Sequence, residues 1–137
     1  MMKAKVELQQ KVCFKGTAGS GSSVIMDGPP DHGGENQGPR PMEMLLLGTG
    51  ACASFDVVHI LRKRRLEVED CVCEIEAERA DEEPKVFTKI HLHFTVSGKG
   101  VTEKAVSRAV ELSAEKYCSA SIMLGKTADV THSFELS

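Results

Sequence analysis

The sequence predicts an α+β protein: strands, one long central helix, a β-hairpin, a second helix and a closing strand. Three observations carry this. A stretch beginning at Pro41-Met42 is helix-compatible and almost uncharged through its first half. Two segments, 68–79 and 86–96, alternate apolar and polar residues on either side of a Pro-containing turn. A 3.6-residue apolar stripe then follows Thr102. At 137 residues the chain fits one domain, expected to span 1–137.

The elements follow in order. Residues 3–15 read as a strand, with Val6 and Leu8 between charges and Val12, Cys13 and Phe14 after them. Gly16 to Ser23 reads as a turn, Val24 to Met26 as a short strand, and the Gly- and Pro-rich stretch from Gly28 to Pro41 as a loop. Pro41 suits the first turn of a helix running from Met42 to about Arg65. Met44 to Ala53 carries almost no charge, and a helix apolar all round must be covered all round. One sheet of this size covers one side only, so the helix predicts a partner chain. Gly48 and Gly50 suit close approach of another backbone. Arg62-Lys63-Arg64-Arg65 places positive charge at the helix C-terminus, where the dipole favours it.

In 68–79, Cys71, Cys73, Ile75 and Ala77 share one face, opposite Glu74, Glu76 and Glu78. In 86–96, Ile90, Leu92, Phe94 and Val96 face inward, and Lys89, His91, His93 and Thr95 outward. Thr102 is the expected N-cap of a helix over 103–116, with Val106, Ala109, Val110, Ser113 and Tyr117 as its inner stripe. A short helical turn over 119–124 and a strand over 127–136 complete the chain.

Composition excludes several classes. A formal net charge of -3 offers no basic footprint for nucleic acid. No apolar run reaches the ~18 residues of a membrane span, so no membrane is expected, and the first ten residues lack the apolar core of a signal peptide. The five cysteines, Cys13, Cys52, Cys71, Cys73 and Cys118, are an odd number. Without an export signal they are expected to be reduced thiols of a cytoplasmic protein, any disulfide being transient.

Two segments carry a resemblance. Pro41-Met42-Glu43-Met44-Leu45-Leu46-Leu47-Gly48-Thr49-Gly50-Ala51-Cys52, continuing through Ser54-Phe55-Asp56-Val57-Val58, and Ser113-Ala114-Glu115-Lys116-Tyr117-Cys118-Ser119, resemble the OsmC/Ohr family of organic hydroperoxide reductases. The wording is closest to its YhfA-like branch. The resemblance implies antiparallel sheets wrapped around a long buried central helix, in an intertwined homodimer with an active site at each end of the interface. It also implies the chemistry: a thiolate on the central helix, here Cys52, attacks an organic or fatty-acid hydroperoxide and becomes a sulfenic acid. Cys118 then resolves it to a disulfide, and a dithiol reductant resets the pair. No cofactor and no metal are expected.

The thiolate needs a cation, because an unperturbed cysteine has a pKa near ~8.5. In the family it is an arginine from the N-terminal region, held by a glutamate at the start of the helix. This chain departs from both. Its first arginine is Arg40, Met42 stands at the glutamate position, and Glu43 is displaced by one. Nine residues of helix are ~13.5 Å and roughly half a turn out of phase, so Glu43 acts only through an arginine or across the dimer. Arg40 and Arg79 are the candidate cations. Asp56 lies one turn after Cys52 on the same face, where it opposes a thiolate: either it is paired, with His59 or an arginine, or Cys52 is not strongly activated.

The other chemistry-bearing residues take bland readings. His59 is ~10.5 Å along the helix from Cys52, too far for a Cys–His hydrolase pair. Cys71 and Cys73 alternate inward as core thiols do, and no second cysteine pair stands at zinc-ligand spacing. Cys13 reads as strand packing, and His91 and His93 as a solvated face. Two rivals to the reductase remain at this point: a protein binding a small apolar ligand in the same pocket, and a thiol-dependent hydrolase or transferase using Cys52.

Overall fold

The computed structural model describes residues Met1–Ser137. The chain divides into two compact units, Met1–Leu46 and Leu47–Ser137.

The first unit is a three-stranded antiparallel sheet, order β1-β2-β3, followed by an ordered loop. β1 is Ala4–Gln10, β2 is Cys13–Ala18 and β3 is Ser23–Met26. The expected single strand over 3–15 is therefore two strands. The chain reverses at Lys11 and Val12, where Lys11 takes a left-handed φ of 48°. No glycine marks that turn, which is why alternation alone runs through it.

Asp27 organises the loop that follows. It is 2% exposed, and its carboxylate accepts backbone N–H groups from Gly28 at 2.7 Å, Glu35 at 3.1 Å and Gln37 at 3.2 Å. Gly34 packs so closely on Gly28 that a Cβ there would run into the Gly28 carbonyl.

Helix α1, Pro41–Lys63, runs through the boundary between the units. Pro41 occupies its first position, and Glu43 reaches back to accept the Arg40 N–H at 2.8 Å, half of a capping box. The helix ends in a Schellman turn, with Leu66 N–H on Leu61 O at 3.1 Å and Arg65 N–H on Arg62 O at 2.8 Å. Arg65 takes the left-handed position, φ 64°.

The second unit holds a mixed sheet, order β4-β5-β6. β4 (Glu67–Arg79) and β5 (Phe87–Lys99) form the expected hairpin, with Cys71 opposite Val96, Cys73 opposite Phe94 and Ile75 opposite Leu92. β6 (Asp129–Leu136) pairs with β5 in parallel. The sheets are otherwise antiparallel as expected; this last pair differs because the chain between β5 and β6 is a helical crossover.

That crossover begins with α2, Glu103–Leu112. Thr102 caps it as expected, its Oγ1 accepting the Ala105 N–H at 3.2 Å. From Ser113 to Tyr117 the chain widens into a π turn, closed by Cys118 N–H on Ser113 O at 2.8 Å. Tyr117 is consequently 49% exposed instead of joining the inner stripe, because the wider turn rotates it out of phase. The short helix α3, Ser119–Leu124, follows.

The core of this unit lies between the sheet and the helices. Leu92, Phe94 and Val96 of β5 meet Ala53, Val57 and Leu61 of α1 and Ala105, Val106, Ala109 and Val110 of α2. Each larger side chain buried here contributes about 1.5–3 kcal/mol. Within one chain α1 buries a single stripe, Thr49, Gly50, Ala53, Val57 and Leu61, while Leu45, Leu47 and Phe55 stay exposed. By length and composition α1 is long and apolar enough to cross a membrane, a test that the core helix of a globular protein also passes. Counting uninterrupted apolar runs missed this, because small and polar residues such as Gly48, Thr49 and Asp56 break the run without lowering the average below that of a span.

Candidate functional site

The expected thiol pair meets in the second unit. Cys52 Sγ, Cys118 Sγ and an Asp56 carboxylate oxygen all lie within 4.8 Å of one another. Cys52 and Asp56 share a face because four residues separate them on α1. Cys118 is brought to them by the π turn, which ends the second helical segment one residue before the cysteine.

Ser113 connects these pieces. Fully buried, it donates from Oγ to Asp56 Oδ2 at 3.1 Å and lies 3.5 Å from the Ala53 carbonyl. Its own carbonyl takes the Cys118 N–H. One residue thus holds the carboxylate and sets the backbone of the buried thiol. Asp56 accepts a hydrogen bond from a serine rather than from His59 or an arginine. His59 instead stacks on Phe55, ring centroids 5.8 Å apart.

Cys118 caps α3. Its Sγ accepts the Ser121 N–H at 3.4 Å, and Ser121 Oγ donates to the Cys118 carbonyl at 3.4 Å. Burial nevertheless pushes the Cys118 thiol up, and Cys52 pushes it further, against the opposing hydrogen bonds from Ser121. The hydrogen bonds at the start of α3 favour its thiolate but are outweighed by burial. Cys52 is only half-buried, which makes it the more accessible of the two sulfurs.

Cys71 and Cys73 lie on the β4 face turned toward α1, half-buried against the core. Burial raises both, and a hydrogen bond with Ser54 partly offsets it for each. Cys73 is pushed up to about 11, with Cys71 and Cys118 adding to the effect. None of the groups that shift Cys73 or Cys118 is a cation.

The remaining expected residues lie elsewhere. Arg79 donates its Nε–H to the Lys85 carbonyl at 2.7 Å, at the turn end of the hairpin. Arg40 and Glu43 belong to the first unit. There Arg40 donates to Asn36 Oδ1 at 2.7 Å and Glu43 caps the helix. The structure therefore brings together Cys52, Asp56 and Cys118, and gives Arg79, Arg40 and Glu43 other contacts. Sequence reasoning placed Ser113 in the core stripe and missed its polar role. A serine at an inner-stripe position was the available signal. Ser54 and Ser121 gave none.

A groove of about 390 Å³ adjoins the site, lined by Asp56, His59, Ile60, Lys63, Arg64, Leu112 and Tyr117. It is apolar along Ile60, Leu112 and Tyr117 and basic at Lys63 and Arg64.

The chain's relatives agree with this architecture. The family model described as OsmC-like protein matches residues 34–133. Protein YhfA of Escherichia coli (strain K12) is 45% identical over 135 residues, covering 98% of both chains. The fold is similar to that of a hypothetical protein from Aquifex aeolicus VF5, at TM-score 0.87 and 34% identity over 100% of this chain and 96% of that one. It is also similar to an organic hydroperoxide resistance protein OsmC from Legionella pneumophila, at TM-score 0.73 and 20% identity over 98% and 96%. The α+β chain with its two three-stranded sheets and its cysteine-bearing central helix thus belongs to the OsmC-like family.

Proposed function

We propose that this protein is a thiol-dependent peroxide reductase acting on organic hydroperoxides, with Cys52 as the peroxidatic and Cys118 as the resolving cysteine. The observation that carries the reading is the approach of the two sulfurs to within 4.8 Å in a member of the OsmC-like family. A disulfide needs ~2.05 Å between them, so closure requires the two sulfurs to approach further. Exposure supports these roles: Cys52 is half-buried and open to a peroxide, and Cys118 is buried beside it.

The chemistry balances in three steps. The Cys52 thiolate attacks the O–O bond of ROOH and, with one proton, gives Cys52–SOH and ROH. The Cys118 thiol condenses with it, forming the S–S bond and releasing water. A dithiol reductant then exchanges with the disulfide, returning both thiols and leaving oxidised as its own disulfide. The groove supports an amphipathic substrate. Its apolar wall suits an acyl chain, and Lys63 and Arg64 suit a carboxylate, as in a fatty-acid hydroperoxide.

The active form in this reading is a homodimer, and a second copy covers the exposed Leu45, Leu47 and Phe55 of α1. The cation that activates Cys52 then comes with that assembly or with the substrate. A second reading, a protein that holds a small apolar ligand without turnover, is favoured by one observation: burial raises the Cys118 thiol, and no cation is among the groups that offset it. One equivalent of cumene hydroperoxide added to the reduced protein separates the two. The reductase loses two hydrogens by mass, and peptide mapping links Cys52 to Cys118. A protein that keeps its mass after that treatment is not a reductase.

A further inference from the structure

Asp56 is an obstacle to a bare thiolate and an asset to a bound cation. We infer that the reduced protein uses Cys52, Asp56 and Cys118 as a three-ligand site for a thiophilic divalent cation of the zinc type, occupied in alternation with the disulfide.

The ligand geometry carries this. Zinc sits ~2.3 Å from thiolate sulfur and ~2.0–2.2 Å from carboxylate oxygen, so tetrahedral ligands stand about 3.4–3.8 Å apart. The three donor atoms already lie within 4.8 Å of one another, about 1 Å beyond that spacing. Two ligands come from one helix face at i and i+4, and the third from a separate element, which fixes the triangle in three dimensions.

The outer contacts are those of a ligand set. Asp56 Oδ2 is held by the buried Ser113 hydroxyl at 3.1 Å, and Cys118 Sγ takes the Ser121 N–H at 3.4 Å. Such hydrogen bonds aim ligands and fix their orientation. Cys52 and Asp56 are half-buried and Asp56 opens onto the groove, so the site has an entry and a fourth position for water.

Charge gives the same answer. Two thiolates and a carboxylate gathered together repel one another in the absence of a cation, and a divalent ion turns that repulsion into attraction. Binding displaces one proton from each thiol, so M²⁺, two Cys–SH and one Asp–COO⁻ give the complex and two H⁺. A hydroperoxide undoes it: two metal-bound thiolates, ROOH and two H⁺ give the disulfide, ROH, water and free M²⁺. The metal in that state shields both sulfurs from adventitious oxidation and leaves when peroxide arrives.

The binding site stands on geometry alone; only its release by peroxide rests on the reductase reading. The test is therefore in two parts. Co²⁺ is titrated into the full-length reduced protein, with Zn²⁺ as competitor, and read by the thiolate charge-transfer band and the visible bands of tetrahedral cobalt. One equivalent per chain is expected. Cys118→Ser and Cys52→Ser should abolish the charge-transfer pattern of a two-thiolate site. Asp56→Asn, which keeps the shape, should weaken affinity at least tenfold, and Cys73→Ser should leave it unchanged. Circular dichroism checks that each variant is folded. Spectra unaltered by Cys118→Ser, or equal affinity in Asp56→Asn, would overturn the site. In the second part cumene hydroperoxide is added to the zinc-loaded protein, and released zinc is read with a chromophoric chelator. Ligand-dependent binding with no release would leave the metal site standing and overturn its alternation with the disulfide, while the reductase is judged on the metal-free protein.

Discussion

Ser113 Oγ donates to Asp56 Oδ2 at 3.1 Å across 57 residues of sequence, and the same Ser113 closes the π turn that delivers Cys118. The carboxylate and the buried thiol are therefore positioned by one residue. Ser113→Ala should cost about 1–2 kcal/mol, the price of a lost hydrogen bond to a half-buried charged group. It should also slow peroxide-driven closure of the Cys52–Cys118 disulfide. Thermal unfolding reads the first effect and quenched-flow thiol trapping the second. Wild-type values for both would deny Ser113 this role.

Phe55 is 70% exposed on α1, beside Cys52 and stacked on His59. If a second copy covers this helix, Phe55→Glu buries a charge in that interface and yields monomers, seen by sedimentation at micromolar concentration. Loss of the dimer should be accompanied by loss of turnover, since the site is proposed to be completed at the interface. A wild-type chain that sediments as a monomer would remove the dimer from the account.

Asp27 sets a pH dependence in the first unit. Burial pushes its carboxyl up, but the N–H groups of Gly28, Gln37 and Glu35, with the charge of Arg40, outweigh burial and hold it below the ordinary value. The folded value is depressed, so its stabilisation is present above the unfolded carboxyl value of ~3.9 and is lost as pH falls through the lower folded value. Asp27→Asn should lower the unfolding temperature at neutral pH, and the gap to wild type should shrink below about pH 4. A gap that is constant with pH would assign the loss to shape and not to charge.

Much of this was legible beforehand, and the failures have physical causes. Alternation in 68–79 and 86–96 gave the hairpin and its buried face of Ile90, Leu92, Phe94 and Val96, and Thr102 gave the start of α2. Strand direction leaves no trace in alternation, so the parallel pairing of β6 was not visible. The π turn has no composition signal, so Tyr117 was placed on the wrong face. Within one chain the Glu43 carboxylate accepts the Arg40 N–H, a contact the sequence hides because arginine is not a common N-cap residue. Cys52 and Cys118 were found through their sequence contexts. The Asp56–Ser113 contact was not, because nothing periodic links two residues so far apart.

Arg65 makes the end of α1 improvable. It occupies the left-handed position of the Schellman turn at φ 64°, which costs a side-chain-bearing residue about 1 kcal/mol relative to glycine. Arg65→Gly should raise the unfolding temperature by about 3–4 °C without touching the thiols. A fall in stability would mean that the Arg65 side chain contributes more than its backbone costs.

The central claim is peroxide reduction through Cys52, and its most direct measurement is steady-state consumption of cumene hydroperoxide and hydrogen peroxide with a dithiol reductant. Wild type, Cys52→Ser and Cys118→Ser are compared. The account predicts turnover of the organic peroxide well above that of hydrogen peroxide, abolished in Cys52→Ser. In Cys118→Ser it predicts a single sulfenic acid at Cys52 without disulfide-linked turnover. Wild-type protein no faster than Cys52→Ser would contradict it.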